Sequence, residues 1–442
     1  MKPSCISRHH ELMLTLLVSP ILAFSMVVID TSANYMGGKS EELVGKVVRQ
    51  AFGEAGMNNA VIVTKFGYTS ASFQGQPGVV TAAPGLCHSM QPDFMHSELE
   101  QSLRRLGTDS VDVYLVHNPE HHLTRHLQRP LTTSGREKEG GAEVQGRGIL
   151  DEGEVRELRG DFYGKVTALF EAMEERVDTG QVMAYGVSSA GLSLPKSDLA
   201  HVSWEKLVGC AEEAAARRGK PSHSFRVVQM PANLLEVVGL SEAPAMEAAG
   251  LQVMACHPLN ASMGQSTYHL VDDALRGGLP HDYMDVCRNV LEHFTMEVPE
   301  GRELTEQESD IIQGCRFIQQ LVQDMNSQLV NFTSFQHYEA ELAGSITPIL
   351  NDKFEGMDEA SADILQLFFE RYGAMVRFSC AQHTRSMVMT GKGCPSGTHD
   401  LPEALPLQQY AVRWVARQPG VACTVVDMES PEHVKDALLA LS

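Results

Sequence analysis

The sequence predicts an α/β fold, a parallel barrel of strands covered by helices, and three observations predict it. Apolar runs of strand character alternate with amphipathic stretches along most of the 442 residues, the βαβα rhythm of a parallel sheet. Three of these runs deliver a polar residue at or just beyond their C-terminal end: VVID gives Asp30, VIVTK gives Lys65 and VDVYLVH gives His117, with Tyr35 a few residues beyond Asp30. A parallel α/β barrel places its functional groups at that end of its strands. The chain is also longer than the ~250 residues one such barrel needs, so it holds a barrel and an addition.

Residues 11–24 read as an apolar helix and 25–30 as a strand. SEELVGKVVRQAF is amphipathic, with Leu43, Val44, Val47, Val48 and Ala51 at helical spacing. A strand follows at 60–65, and the Gly-, Pro- and Ser-rich stretch 68–92 reads as a loop. Residues 93–106 form a helix with Asp93 as its N-cap after Pro92, and 111–117 a strand. Residues 124–160, containing TSGREKEGGAEVQGRG, are charged and glycine-rich and read as a solvated, flexible loop.

The rhythm resumes with helix 161–179, strand 182–188, helix 203–218, strand 225–230, helix 241–249 and strand 251–256. It breaks over 262–400, where HDYMDVCRNVLEHF, SDIIQGCRFIQQLVQDM and DEASADILQLFFERYGAMVRF are amphipathic helices of an insertion. Helix 406–417, strand 421–426 and helix 430–441 close the chain, Pro431 suiting a first helical turn. The expected organisation is the main part of the barrel in 1–261, the insertion in 262–400, and a C-terminal barrel segment in 401–442.

Composition narrows the function. With 35 Lys and Arg against 56 Asp and Glu, the net charge is −21, which argues against a nucleic-acid partner because no basic stripe offsets the repulsion. Nine cysteines, odd in number and without a regular frame, suggest reduced thiols in a cytoplasmic setting. The apolar run 12–29 has the length of a signal peptide or short membrane span. Pro20 interrupts it, however, and it continues without a break into Asp30, so a buried helix followed by a strand is the preferred reading and a membrane role is not expected. The sequons at Asn260 and Asn331 would matter only in a secreted chain. Cys380, His383, Cys394 and His399 have the spacing C-x2-H-x10-C-x4-H, which has the flavour of a zinc site; free thiols and loop histidines are the preferred reading, and no metal is expected. His121 and His122 read as solvated loop residues that could line a pocket.

Several segments resemble the aldo-keto reductase superfamily. IDTSANY is similar to its DTAxxYG segment, VTKFG to its TK strand, and ELEQSLRRLGTDSVDVYLVHNPE to its SLxRLxxDxxD…HxP segment. Downstream, DTGQVMAYGVSS, VVQMPANLLE and LQVMACHPLNAS match three further motifs in order. The resemblance covers residues 25–120, 160–262 and, more loosely, 404–440. It implies a (β/α)8 TIM barrel, NADPH or NADH as cofactor, and a small-molecule aldehyde or ketone as substrate. Neither the substrate's identity nor an oligomeric state follows from it.

The candidate catalytic residues follow from that chemistry. Carbonyl reduction needs a hydride at carbon and a proton for the developing alkoxide, and no side chain donates hydride. Tyr35 would supply the proton, Lys65 would lower the phenol's pKa from its usual ~10, Asp30 would hold Lys65 charged, and His117 would orient the carbonyl oxygen. Taken singly, Asp30 reads as a helix N-cap, Lys65 as a surface salt bridge and His117 as a satisfied core histidine. Four such residues on successive strand ends are hard to explain as packing.

The resemblance further places Ser188, Ser189 and Gln229 at the nicotinamide carboxamide, and Pro258 and Leu259 in the strand-end motif beside the cofactor. It places Asp427 and Glu429 at the cofactor's phosphate end. Three departures stand out. The barrel lacks a complete first strand before Asp30. Cys256, or His257, occupies the place of the usual aromatic stacking residue, and Ser189 stands where Asn is usual. Asp427 and Glu429 replace the glycine and basic residues expected near an adenosine 2′-phosphate, implying weak NADPH binding or a relative preference for NADH. These departures leave a second reading, a barrel of little or no activity serving as a regulatory or scaffolding subunit.

Overall fold

The computed structural model describes residues 15–18, 27–52, 60–124, 151–264, 266–296, 304–353, 358–428 and 430–441. The chain divides into two compact units, one of Met1–Pro258 with Val412–Ser442, the other of Leu259–Ala411.

The first unit is the barrel. Strands β1 (Thr15–Val18), β2 (Val27–Asp30) and β3 (Ala60–Phe66) come first, with helix α1 (Lys39–Phe52) between β2 and β3. A small antiparallel meander follows, β4 (Tyr68–Ser70), β5 (Val79–Ala83) and β6 (Leu86–Ser89), before helix α2 (Pro92–Leu106) and strand β7 (Val111–His117). Helices α3 (His121–Thr124) and α4 (Glu152–Asp178) lead to β8 (Val182–Ser188); α5 (Trp204–Arg217), β9 (Phe225–Pro231), α6 (Val238–Ala248) and β10 (Gln252–Cys256) complete the first pass. The strand order around the closed barrel is β1, then a C-terminal strand of Val421–Val426, then β10, β9, β8, β7, β3 and β2.

Seven of these strands run parallel, and β1 pairs antiparallel with both of its neighbours, Leu16 standing opposite Ile29 on one side and Val426 on the other. The helix expected over 11–24 is therefore corrected where it is described: 15–18 is a strand. The physical reason is the gap. Seven strands leave two edges with unpaired N–H and C=O groups, and an extended apolar run satisfies both at once.

Two other expectations change. The stretch 68–92 is a meander rather than a loop, its β4 and β5 both paired to β6. Helix α4 begins inside the expected loop, because the Asp151 carboxylate accepts from Glu154 N at 2.8 Å and Glu154 Oε2 from Asp151 N at 2.8 Å; this capping box starts the helix nine residues early, at Glu152 rather than 161. The rest of that loop, 125–150, lies outside the described residues. At α2 the N-cap is Gln91, with Pro92 in the first helical position, rather than Asp93.

Side chains alternate across each strand. Ile62, Tyr114, Val116, Val187, Val228 and Val253 pack outward under the helices with Met95, Leu99, Phe162 and Phe170. Val63, Val113, Leu115, Val227, Met254, Cys423 and Val425 fill the barrel interior. Gly186 belongs to that interior, where a Cβ would lie 2.0 Å from Val227 O and 2.8 Å from Leu115 Cδ2; no other residue fits there. One layer further along, at the C-terminal ends, the inward positions turn polar.

The second unit begins with a hairpin, β11 (Asn260–Met263) and β12 (Ser266–His269). Its helices are α7 (Asp273–Arg276), α8 (Tyr283–His293), α9 (Glu306–Gln328), α10 (Phe335–Glu341), α11 (Thr347–Lys353) and α12 (Glu359–Thr390). Val290, Ile318, Val322, Phe368, Tyr372 and Val376 form their core. Helix α13 (Leu407–Ala416), strand β13 (Val421–Val426) and helix α14 (Pro431–Leu441) end the chain. Of the four residues of zinc-like spacing, Cys380 Sγ donates to Phe332 O and His383 stacks on Tyr268, while Cys394 Sγ and His399 Nε2 both meet Ser396 Oγ, and His399 Nδ1 meets the Tyr410 hydroxyl. Among the described residues no helix is long and apolar enough to cross a membrane, and none of the eight cysteines is in a disulfide.

Strand β8 is anchored by Glu174 of α4, whose fully buried carboxylate accepts from Tyr185 Oη at 2.9 Å, Ser224 N at 2.5 Å and Lys220 Nζ at 2.5 Å. Burial raises its pKa, but the Lys220 and Ser224 hydrogen bonds lower it more, and the net value falls below 4.5. Glu174→Ala should cost about 3 kcal/mol in chemical denaturation, since it leaves the Tyr185 hydroxyl unmet. Because the folded pKa is depressed, the carboxylate's contribution is present above the unfolded value near 4.5 and is lost as pH falls through the lower folded value. Glu174→Gln should therefore lose stability at pH 7, and its deficit relative to the parent should close in acid.

Candidate active site

Asp30 ends β2, Lys65 is the penultimate residue of β3 and His117 ends β7, three neighbouring strands of the barrel. Strand alternation turns all three inward, on the side of Val63, Val113 and Leu115. Past Asp30 the ladder to β3 continues through Thr31 N to Val63 O (2.8 Å) and Ala33 N to Lys65 O (3.1 Å). The chain then turns through Met36, Gly37 and Gly38, all at positive φ. Just before it, a turn closed by Tyr35 N on Ser32 O at 3.1 Å sets Tyr35 over Lys65.

The Lys65 ammonium is fully buried and makes three hydrogen bonds: to Asp30 Oδ2 at 2.6 Å, Thr31 O at 3.0 Å and Tyr35 Oη at 3.2 Å. Burial acts most strongly against its charge, but the Asp30 carboxylate and Tyr35 together more than offset this and raise its pKa above the usual lysine value. Tyr35 is pushed up to about 12 by burial, with Asp30 adding to the rise and Lys65 pulling down without offsetting it. The expected net lowering of the phenol is thus corrected. Lys65 acts in the expected direction, but desolvation wins. The outcome is a phenol that keeps its proton through the neutral range.

The His117 ring meets the Tyr35 ring edge-on, with centroids 6.0 Å apart. Its Nδ1 lies 3.3 Å from Ser32 Oγ. Burial, then the charges of Lys65 and nearby histidines, hold the imidazole well below its usual pKa, so it is neutral at pH 7. In the tautomer with the proton on Nε2 it is a donor suited to a carbonyl oxygen.

Ser188 and Gln229 extend the network around the barrel. Ser188 Oγ donates to Gln229 Oε1 at 2.7 Å, and Gln229 Nε2 donates to Asp30 Oδ1 at 3.0 Å. Both line one cleft with Asp30, Tyr35, His117 and Asp427. Ser189 also lines it, but its hydroxyl donates to Glu120 Oε2 at 2.6 Å and accepts from Gly191 N at 3.0 Å. Cys256 and His257 line the cleft at the end of β10; Pro258 and Leu259 follow in the next turn. His257 Nδ1 lies 3.9 Å from Asp427 Oδ2. Glu429 lies outside the described residues.

Sequence reasoning missed Ser32, Glu120, Asn118 and His88, all hydrogen-bonded at or beside this cleft. Glu120 stands in the HNPE segment and Ser32 in DTSANY, so the motifs pointed to them. For His88 there was no local signal.

The described residues lining the cleft fit a nicotinamide carboxamide and offer no cation for a phosphate. The Gln229 amide and Ser188 hydroxyl offer the donor and acceptor that a carboxamide needs, beside the Tyr35 phenol. At about 100 Å³ the cleft is well under the ~300–1,000 Å³ of ordinary ligand sites. Among its described lining residues there is no Lys or Arg, and Asp427 is a carboxylate.

A model of the Aldo/keto reductase family matches residues 17–313. The aldo-keto reductase yakc [NADP(+)] of Schizosaccharomyces pombe is 32% identical over 88 residues, which is 20% of this chain and 22% of that protein. Among solved structures, aldo-keto reductase AKR11C1 from Bacillus halodurans (holo form) is 14% identical with a TM-score of 0.40, over 94% of this chain and 76% of that one. The glycerol dehydrogenase AKR11B4 from Gluconobacter oxydans is 15% identical with a TM-score of 0.39, over 94% and 75%. With the family model matched over more than half of its length, this chain belongs to the aldo/keto reductase family.

Proposed function

We propose that the chain reduces an aldehyde or ketone to an alcohol, with a nicotinamide cofactor as hydride donor and Tyr35 as proton donor. The observation that carries the reading is the buried Asp30–Lys65–Tyr35 chain, at 2.6 and 3.2 Å, ending in the cleft that His117 also lines. A bound nicotinamide would supply the hydride, held at its carboxamide by Gln229 and Ser188. The His117 Nε2–H hydrogen-bonds the substrate oxygen and orients it toward Tyr35. As negative charge develops on that oxygen, the Tyr35 hydroxyl transfers its proton. Lys65 stabilises the resulting phenolate, and Asp30 keeps the ammonium charged and in place. The second reading, a regulatory or scaffolding barrel, rests on the departures at Cys256, Ser189 and Asp427, and the intact Asp30–Lys65–Tyr35 chain opposes it.

Asp427 and Glu429 support a relative preference for NADH, since a carboxylate lining the cleft repels an added phosphate. Replacing Asp427 with Gly and Glu429 with Arg should tighten NADPH relative to NADH in parallel titrations; an unchanged ratio would refute this account.

Tyr35→Phe should abolish carbonyl reduction while sparing nicotinamide binding, read by a substrate screen and by cofactor fluorescence. Turnover retained in the variant would remove Tyr35 as the acid. Because the phenol is pushed up to about 12, kcat for reduction should stay flat between about pH 6 and 9, whereas the reverse oxidation, which needs the phenolate, should climb over that range. A reduction rate that falls across neutral pH would show a different acid at work.

A further inference from the structure

His88 on β6 is fully buried, and its Nε2 lies 2.6 Å from the main-chain oxygen of His117. A carbonyl oxygen only accepts, so Nε2 must carry the proton and donate. That leaves Nδ1 as an acceptor, and it is buried with no hydrogen-bond partner among the described residues. An unmet buried acceptor destabilises a fold, and an apolar side chain in this place would not carry one. Such departures from good packing gather where function holds a residue in place. Burial also pushes the ring's pKa down to about 3, which fixes this neutral form.

The main chain that His88 holds is an unusual one. Asn118, next after His117, has φ +49°, in the left-handed region that side chains disfavour. The turn is gripped from both sides, by His88 on His117 O and by Ser188 O on Asn118 N at 2.6 Å. Gly67 completes the fit with φ +146°. A Cβ there would lie 2.4 Å from His88 Nε2 and 2.8 Å from His117 O. The Ser89 N bond to Gly67 O at 2.8 Å ties β6 to the same place. The Tyr68 ring then stands edge-on to both the His88 and His117 rings.

We propose that His88 is a positioning residue: its Nε2–H bond to the main-chain oxygen of His117 fixes the turn that aims the His117 imidazole at the reacting carbonyl. This rests on the reductase reading above. It also explains the meander, whose β6 delivers a hydrogen-bond donor to the end of β7 from outside the barrel.

The test compares His88→Leu with His88→Gln, whose amide can still donate, in the full-length chain. Histidine-labelled protein would report the His117 ring resonances, assigned through His117→Asn, alongside steady-state reduction and nicotinamide titration. His88→Leu should shift the His117 resonances and lower kcat about 10- to 100-fold, the scale of a small misplacement. Cofactor affinity should stay within about twofold, and His88→Gln should recover most of both losses. Unmoved resonances in His88→Leu, or a glutamine no better than leucine, would overturn the proposal. If the leucine variant does not fold, Gly67→Ala replaces it, since its Cβ must displace the His88 bond; unmoved His117 resonances there would overturn the proposal equally. A parent chain that reduces no carbonyl would defeat the reductase reading, while the resonances would still decide whether His88 positions His117.

Discussion

A fully buried ammonium governs this site. Desolvating Lys65 is costly unless each of its three N–H groups and its charge are met. Asp30 Oδ2, Thr31 O and Tyr35 Oη meet them one for one. Much of the local architecture serves that requirement. Strand β2 must lie beside β3 in the register that pairs Asp30 with Val63, and the chain beyond it must expose the Thr31 carbonyl inward. The turn closed by Tyr35 N on Ser32 O then places Tyr35. The second Asp30 oxygen, left over by Lys65, is met by Gln229 from across the barrel. A lysine in place of a leucine at this depth thus organises three strands and a turn.

The barrel makes that arrangement affordable because its interior is layered. Below the polar layer, Val63, Leu115, Val227 and Met254 pack the interior with Gly186 where the backbones approach. The apolar floor excludes water, so charge–charge and hydrogen-bond interactions above it act at low dielectric. The same exclusion raises the Tyr35 phenol and neutralises His117. Both effects suit the proposed roles of Tyr35 and His117 as donors toward a carbonyl oxygen at neutral pH.

Most of the barrel was legible because its signals are local. Strands 111–117, 182–188 and 421–426 coincide with their apolar runs. The early start of α4 was also written in the sequence, as Asp151 followed three residues later by Glu154, but the glycines around it masked the signal. The strand at 15–18 could not be read locally: LTLLVS suits a helix as well as a strand, and the two barrel edges on either side decided between them. The meander was hidden for a related reason, since its strands are only three to five residues long, are separated by glycine- and proline-containing connections, and exist only by pairing with one another.

The sequence by itself determined most of the order of elements, the family, and the four polar residues at and just beyond the strand ends, because these depend on spacing along the chain. Tertiary structure decided how those residues behave. The direction of the Tyr35 shift depends on a balance between burial and Lys65 that no spacing reveals. The engagement of Ser189 by Glu120, and of the His117 carbonyl by His88, joins residues 69 and 29 positions apart. Such contacts arise where a strand end, a turn and a meander converge in space, and only the folded chain brings them there.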